Sequence, residues 1–256
     1  MASSSGIASE SKTIFIDTNY IIYLCYFARV FIELKEDPTI EWTLFPATLA
    51  KHDWKMTQLK EDGLRNGKKV FDYLKSNITV GSEVFVSNYT ELELLHFLIE
   101  GQADQNLFAA GIPYRLRIKK NALLCMYSMG LADYQSVTKE YGEFKDYLRN
   151  YGVEYQVFEQ RNQEYYRQVM EIANIVMANV MLNLPDAVIY GAAIAAEADE
   201  FLTCDRELRT VVNRLKNSAD MKSIADKFIK DLAVGKPSIR AGEKGLPFSL
   251  PLGKNL

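Results

Sequence analysis

Thr13-Ile14-Phe15-Ile16-Asp17-Thr18-Asn19 is the stretch on which the fold turns. Its first four residues are β-branched or aromatic and apolar throughout, the pattern of a short strand buried on both faces. The run ends abruptly in an acid. Tyr20 to Glu36 then reads as a helix that is apolar on most sides, stopped at Asp37-Pro38, where proline restrains the residue before it. A buried strand that gives way at once to a helix opens an alternating α/β chain.

The alternation recurs downstream. Glu41 to Asn77 reads as two polar-faced helices broken near Gly63 and Gly67, and Glu83-Val84-Phe85-Val86-Ser87 as a second strand. Thr90-Glu91-Leu92-Glu93 opens a helix with Leu92, Leu95 and Ile99 at helical spacing. Gln102 to Asn150 is mostly helical and rich in tyrosine, and Val153 to Phe158 alternates as a strand does. A long helix, Gln163 to Leu182, leads through Leu184-Pro185-Asp186 to the small-residue helix Ala187 to Ala198. The strand Glu200 to Cys204 follows, then Asp205 and a helix over Arg206 to Lys216. Strands separated by helices predict an α/β fold: a mostly parallel central sheet flanked by helices on both faces. We expect one domain over residues 13–234, with helical insertions at about 36–82 and 101–161. Met1 to Lys12 is Ser-rich without an apolar centre and is expected to be disordered. Residues 235–256, punctuated by Pro237, Gly242, Gly245, Pro247, Pro251 and Gly253, are expected to be irregular.

Composition removes several chemistries. The 256 residues hold only two histidines, His52 and His96, which removes Ser-His-Asp, Cys-His and most His-rich zinc chemistries. Three dispersed cysteines, Cys25, Cys125 and Cys204, form no Cys-x-x-Cys pair, which suits core residues in a reducing cytoplasm. No apolar run reaches membrane-spanning length. A net charge of -3 provides no overall field for nucleic acid, so any such contact depends on a local patch.

Carboxylates therefore carry the chemistry. In parallel sheets ligands lie beyond the carboxyl ends of the strands. Asp17 ends the first strand, Asp205 ends the last clear one, Glu93 begins the helix after the second, and Asp186 starts a helix of its own. Two carboxylates about 5 Å apart repel by roughly 3 kcal/mol at an effective dielectric of 20, and a divalent cation removes that cost. An all-oxygen set is the one preferred by Mg²⁺ or Mn²⁺. Each acid also has an ordinary structural reading. Thr90-x-x-Glu93 is a capping-box pattern, and Asp186 and Asp205 resemble N-cap or first-turn acids favoured by the helix dipole.

The residues carry a resemblance as well. Ile14-Phe15-Ile16-Asp17-Thr18-Asn19 resembles the opening strand and first acid of the PIN-domain family. Ser87-x-x-Thr90-x-x-Glu93-Leu94 is similar to its second motif and selects Glu93 over Glu91. Asp186-Ala187-x-Ile189-x-x-Ala192-Ala193, followed by Phe201-Leu202-Thr203-x-Asp205, is similar to its third and fourth motifs. The resemblance leaves Asp199 outside the site as a turn residue and places Thr203 and Asn19 as supports of the acids. It covers residues 13 to 35, 83 to 100 and 160 to 216. Two stretches, Glu36 to Ser82 and Gly101 to Arg161, are longer than in compact toxin members. The fourth motif closes with Arg206 where an aromatic is usual.

The resemblance implies a metal-dependent endoribonuclease acting on single-stranded RNA, in which Asp17, Glu93, Asp186 and Asp205 hold Mg²⁺ or Mn²⁺; the sequence leaves single-stranded DNA open as the alternative substrate. It also implies candidate partners: an antitoxin, if the chain belongs to a toxin-antitoxin pair, and a second copy of itself. Two other readings stand beside it. One is a non-catalytic module of the same fold that binds RNA or protein. The other is a phosphatase of the haloacid dehalogenase kind, which wants an Asp where Asn19 stands. Tyr114-Arg115-x-Arg117-x-Lys119-Lys120 is the densest basic stretch, either a grip on a phosphate backbone or a solvated helix face. Tyr141, Tyr147, Tyr151, Tyr155, Tyr165 and Tyr166 offer stacking or, more often, packing.

Overall fold

A computed structural model describes residues 12–52, 58–113, 128–160, 163–180, 182–203, 205 and 248–251. Strand β1 (Thr13–Ile16) leads to helix α1 (Thr18–Leu34). A short 3-10 turn, α2 (Phe45–Lys51) and α3 (Gln58–Asn77) follow, then β2 (Glu83–Val86), α4 (Asn88–Ala109) and α5 (Leu131–Asn150). The chain continues through β3 (Gln156–Val157), α6 (Gln163–Val180), α7 (Leu184–Ala195), β4 (Glu200–Thr203) and β5 (Phe248–Pro251).

The sheet order is β3-β2-β1-β4-β5. The first four strands are parallel, in register Ile14 with Val84 and with Glu200, and Phe85 with Gln156. β5 runs antiparallel to β4, with Phe201 opposite Leu250, so four residues of the stretch read as an irregular tail are a strand. The protein is thus the α/β fold expected from the alternation of elements.

Strand alternation divides the core. Ile14, Ile16, Val84, Val86 and Leu202 point to one face, where α1 to α5 cover them. Phe15, Phe85 and Phe201 point to the other, where α6 and α7 pack, including Val169, Ile172, Ala187 and Ala192. Both faces are dry, which is why the strands read as continuous apolar runs. The tyrosines mostly pack. Tyr155 is buried, Tyr147 and Tyr151 have ring centroids 5.0 Å apart, and Tyr165 stacks on Phe158 at 4.7 Å, while Tyr166 is exposed.

Three expectations need correction. α3 is not broken at Gly63 or Gly67. A Cβ on Gly67 would lie 2.3 Å from the carbonyl oxygen of Tyr23, so this glycine lets α3 approach α1 closely. α4 begins at Asn88, capped by Ser87, whose Oγ accepts from the Thr90 N–H. Its buried face is consequently Thr90, Leu94 and Leu98 instead of Leu92, Leu95 and Ile99. Lys12 is ordered: its Nζ donates to Glu200 Oε1 at 2.9 Å and its N–H to Ser82 Oγ. Residues Met1 to Ser11, the basic stretch from Tyr114 to Lys120 and the helix expected over Arg206 to Lys216 lie outside the described residues. Among the described residues no helix is long and apolar enough to cross a membrane.

Candidate active site

The strand order places a topological switch between β1 and β4. From β1 the chain goes to β2 and β3 on one side, then returns to lay β4 on the other. The connections diverge there, and ligands of open α/β sheets bind in the crevice this leaves at the carboxyl edge. Asp17 leaves β1 and Asp205 follows β4 on the two sides of that point.

Asp17 is 2 % exposed. It caps α1, its Oδ1 accepting from the Thr18 N–H at 2.8 Å. Its Oδ2 accepts from the Thr203 hydroxyl at 2.7 Å, and Thr203 Oγ1 in turn accepts from the Asp205 N–H at 3.0 Å. The two strand ends are thereby stitched through one hydroxyl. Burial pushes the Asp17 carboxyl from an ordinary 3.8 up to about 7. The Thr203 and Thr18 hydrogen bonds pull it back, and the charges of Asp186 and Asp205 push it further up. Three of the four expected acids therefore share one electrostatic field.

Glu93 joins from α4. Its Oε2 accepts from the Thr18 hydroxyl at 2.5 Å. Thr90 Oγ1 lies 3.2 Å from Thr18 Oγ1. Thr18 has one hydroxyl proton and directs it at the carboxylate, so Thr90 supplies the donor for the second contact. Thr18 thus holds Asp17 by its N–H and Glu93 by its hydroxyl. The capping-box reading of Glu93 fails for a geometric reason: α4 starts three residues earlier, and Ser87 does the capping. Asp186 is not the cap of α7 but does stand in its first turn, as its structural reading has it. Asn183 caps α7, its Oδ1 accepting from the Asp186 N–H at 2.9 Å, while its Nδ2 donates to Asp186 Oδ2 at 2.8 Å.

Asn19 is exposed, and the supporting contact expected of it is made by its neighbour Thr18. Thr203 takes the role expected of it. Asp199 stands at the opposite, amino edge, where its Oδ2 accepts from the Thr13 N–H at 2.8 Å. His96 is exposed on α4 with Glu100 3.9 Å away, and His52 contacts Glu36. Thr18 and Asn183 are supports that the sequence did not single out, and Thr90, expected to cap α4, instead contacts Thr18.

The donor set tests whether a divalent ion fits here. All four acids offer oxygen, and the two Asp17 oxygens each accept from a single donor, which leaves each with acceptor capacity. Among the described residues no three acidic, histidine or cysteine side chains already stand at ligating distance from a common point. Mg²⁺ commonly binds through one or two carboxylates and keeps several waters, so the arrangement fits such an ion. The amino ends of α1, α4 and α7 also meet at this edge, where their dipoles favour anions. No family model, curated protein or solved structure matched the chain.

Proposed function

We propose that the protein is a divalent-metal-dependent nuclease of the PIN-domain type that hydrolyses phosphodiester bonds of single-stranded RNA. One observation carries this reading. A carboxylate at the switch point of a parallel sheet is held by two hydrogen bonds, burial raises its pKa to about 7, and two further acids add to that rise. A fold gains no stability from gathering like charges about a buried acid, so the cost points to a cation that offsets it.

Asp17, Glu93, Asp186 and Asp205 would hold Mg²⁺ or Mn²⁺. Such an ion supplies a nucleophile near neutral pH and stabilises charge on phosphoryl and leaving oxygens. The chain's own residues do the positioning. Thr203 and the Thr18 N–H fix the plane of the Asp17 carboxylate, Thr18 Oγ1 fixes Glu93, and Asn183 fixes Asp186. The amino ends of α1, α4 and α7 favour a phosphate at the same edge.

The test is cleavage of labelled, mixed-sequence single-stranded RNA with Mn²⁺ or Mg²⁺, comparing wild type, Asp17→Asn, Asp186→Asn and a chelator control. The expected result is metal-dependent cleavage that both substitutions abolish in folded protein. Cleavage that survives both substitutions, or its absence from the wild type, would overturn the proposal.

A further inference from the structure

Glu93 stands at the end of a row of hydroxyls. Behind the Thr18 hydroxyl that donates to it lies Thr90 Oγ1 at 3.2 Å, and behind Thr90 lies Ser87 Oγ at 3.4 Å. All three residues are buried, so water does not compete for their protons. The row joins α1 to the first turn of α4, although Thr18 and Thr90 are 72 residues apart in the chain.

The sense of the row is fixed at both ends. At its head the Thr90 backbone N–H, which can only donate, gives its proton to Ser87 Oγ at 3.1 Å. At its tail the Glu93 carboxylate, which can only accept, takes the Thr18 proton at 2.5 Å. Each hydroxyl has one proton, so every link is filled only if Ser87 donates to Thr90, Thr90 to Thr18 and Thr18 to Glu93. Hydrogen bonds aligned in one sense polarise one another in a low dielectric, and the last link then depends on those behind it.

Helix position explains why these protons reach a side chain. Ser76 on α3 and Thr138 on α5 donate instead to the carbonyl four residues back, those of Asp72 and Tyr134. Thr18 and Thr90 stand in the first turns of α1 and α4, where the residue four back, Ile14 or Val86, belongs to the preceding strand.

We infer that Thr90 is a positioning residue of the acid cluster: with Ser87 behind it, it acts through Thr18 to hold the Glu93 carboxylate in place. The inference rests on the nuclease reading for the use to which Glu93 is put. Without the Thr90 hydroxyl the Thr18 oxygen loses the donor behind it, and its hold on Glu93 weakens.

Two substitutions separate the hydroxyl from the packing. Thr90→Val keeps the volume and removes the hydroxyl, whereas Thr90→Ser keeps the hydroxyl and removes a methyl. The Glu93 carboxyl carbon is followed by NMR in the full, metal-free chain, and Mn²⁺ affinity is then measured by calorimetry. The expected result is that Thr90→Val moves the Glu93 signal and raises the Mn²⁺ dissociation constant about tenfold, the lower end of the loss when a ligand's supporting group is removed. Thr90→Ser should leave both near wild type. A Glu93 signal unmoved by Thr90→Val, or Thr90→Ser as impaired as Thr90→Val, would overturn the inference. Mn²⁺ bound equally well by wild type and Thr90→Val removes the inference and leaves the nuclease reading. A Glu93 signal that responds as expected in a protein that binds no Mn²⁺ supports the row and removes only that reading.

Discussion

Asp17 and Glu91 are both buried carboxylates at the carboxyl edge of one sheet, and they are provided for in opposite ways. Glu91 receives Lys145 at 3.1 Å and the Tyr141 hydroxyl at 2.8 Å, so its charge is matched within the fold. Asp17 receives two hydrogen bonds and faces two more acids, and its proton is held up to about pH 7. Glu91 is given a cation by the chain itself, whereas under the proposed function Asp17 takes its cation from solution.

The largest expected effect breaks the comparison at Asp17. Asp17→Asn should lower metal-dependent RNA cleavage by about three orders of magnitude or more, a loss of at least roughly 4 kcal/mol of transition-state stabilisation. Glu91→Gln should leave most of it, which single-turnover cleavage of labelled RNA measures.

Stability should respond the other way round. Lys145→Met leaves Glu91 buried without its cation and should cost about 3 kcal/mol, read as a lowered midpoint in urea unfolding. Asp17→Asn in metal-free protein should stabilise, with a defined pH dependence. A carboxyl whose pKa is raised on folding contributes fully below its unfolded value of 3.8, and loses that contribution as pH rises through about 7. The advantage of Asp17→Asn should accordingly be small near pH 4 and grow to a plateau above pH 7. At about 1.4 kcal/mol per pKa unit, the plateau is on the order of 2 to 4 kcal/mol. Urea unfolding across this pH range, in chelator, would contradict the account if the advantage were flat or declined.

The smallest effect sharpens the comparison within the site. Thr203→Val removes the hydroxyl that holds Asp17 Oδ2 and should weaken Mn²⁺ binding about tenfold by calorimetry. Asn19→Ala, at an exposed neighbour of the same acid, should leave it unchanged.

These contrasts also explain what could be read before the fold was known. Asp17 and Asp205 were legible because strand runs such as Ile14-Phe15-Ile16 are apolar on both faces, and the parallel-sheet rule then assigns their trailing acids to one edge. The buried face of α4 was not legible. Leu92, Leu94, Leu95, Phe97, Leu98 and Ile99 are apolar on nearly every side, so periodicity selects no stripe, and the Ser87 cap decides it. Gly67 reads as a breaker in isolation, whereas its role depends on Tyr23, over forty residues earlier in the chain. The Glu91 and Lys145 pair is equally non-local, which is why the sequence distinguished Glu93 from Glu91 only through a resemblance.

The most direct test of the cation site is the thermal unfolding midpoint with and without Mn²⁺ at pH 7.5, for wild type and Asp17→Asn. The account predicts that Mn²⁺ at a hundred times its dissociation constant stabilises the wild type by about 2.7 kcal/mol and raises its midpoint, while Asp17→Asn stays where it was. A wild type that Mn²⁺ leaves unmoved, or a variant that rises with it equally, would contradict the claim that these acids hold a metal.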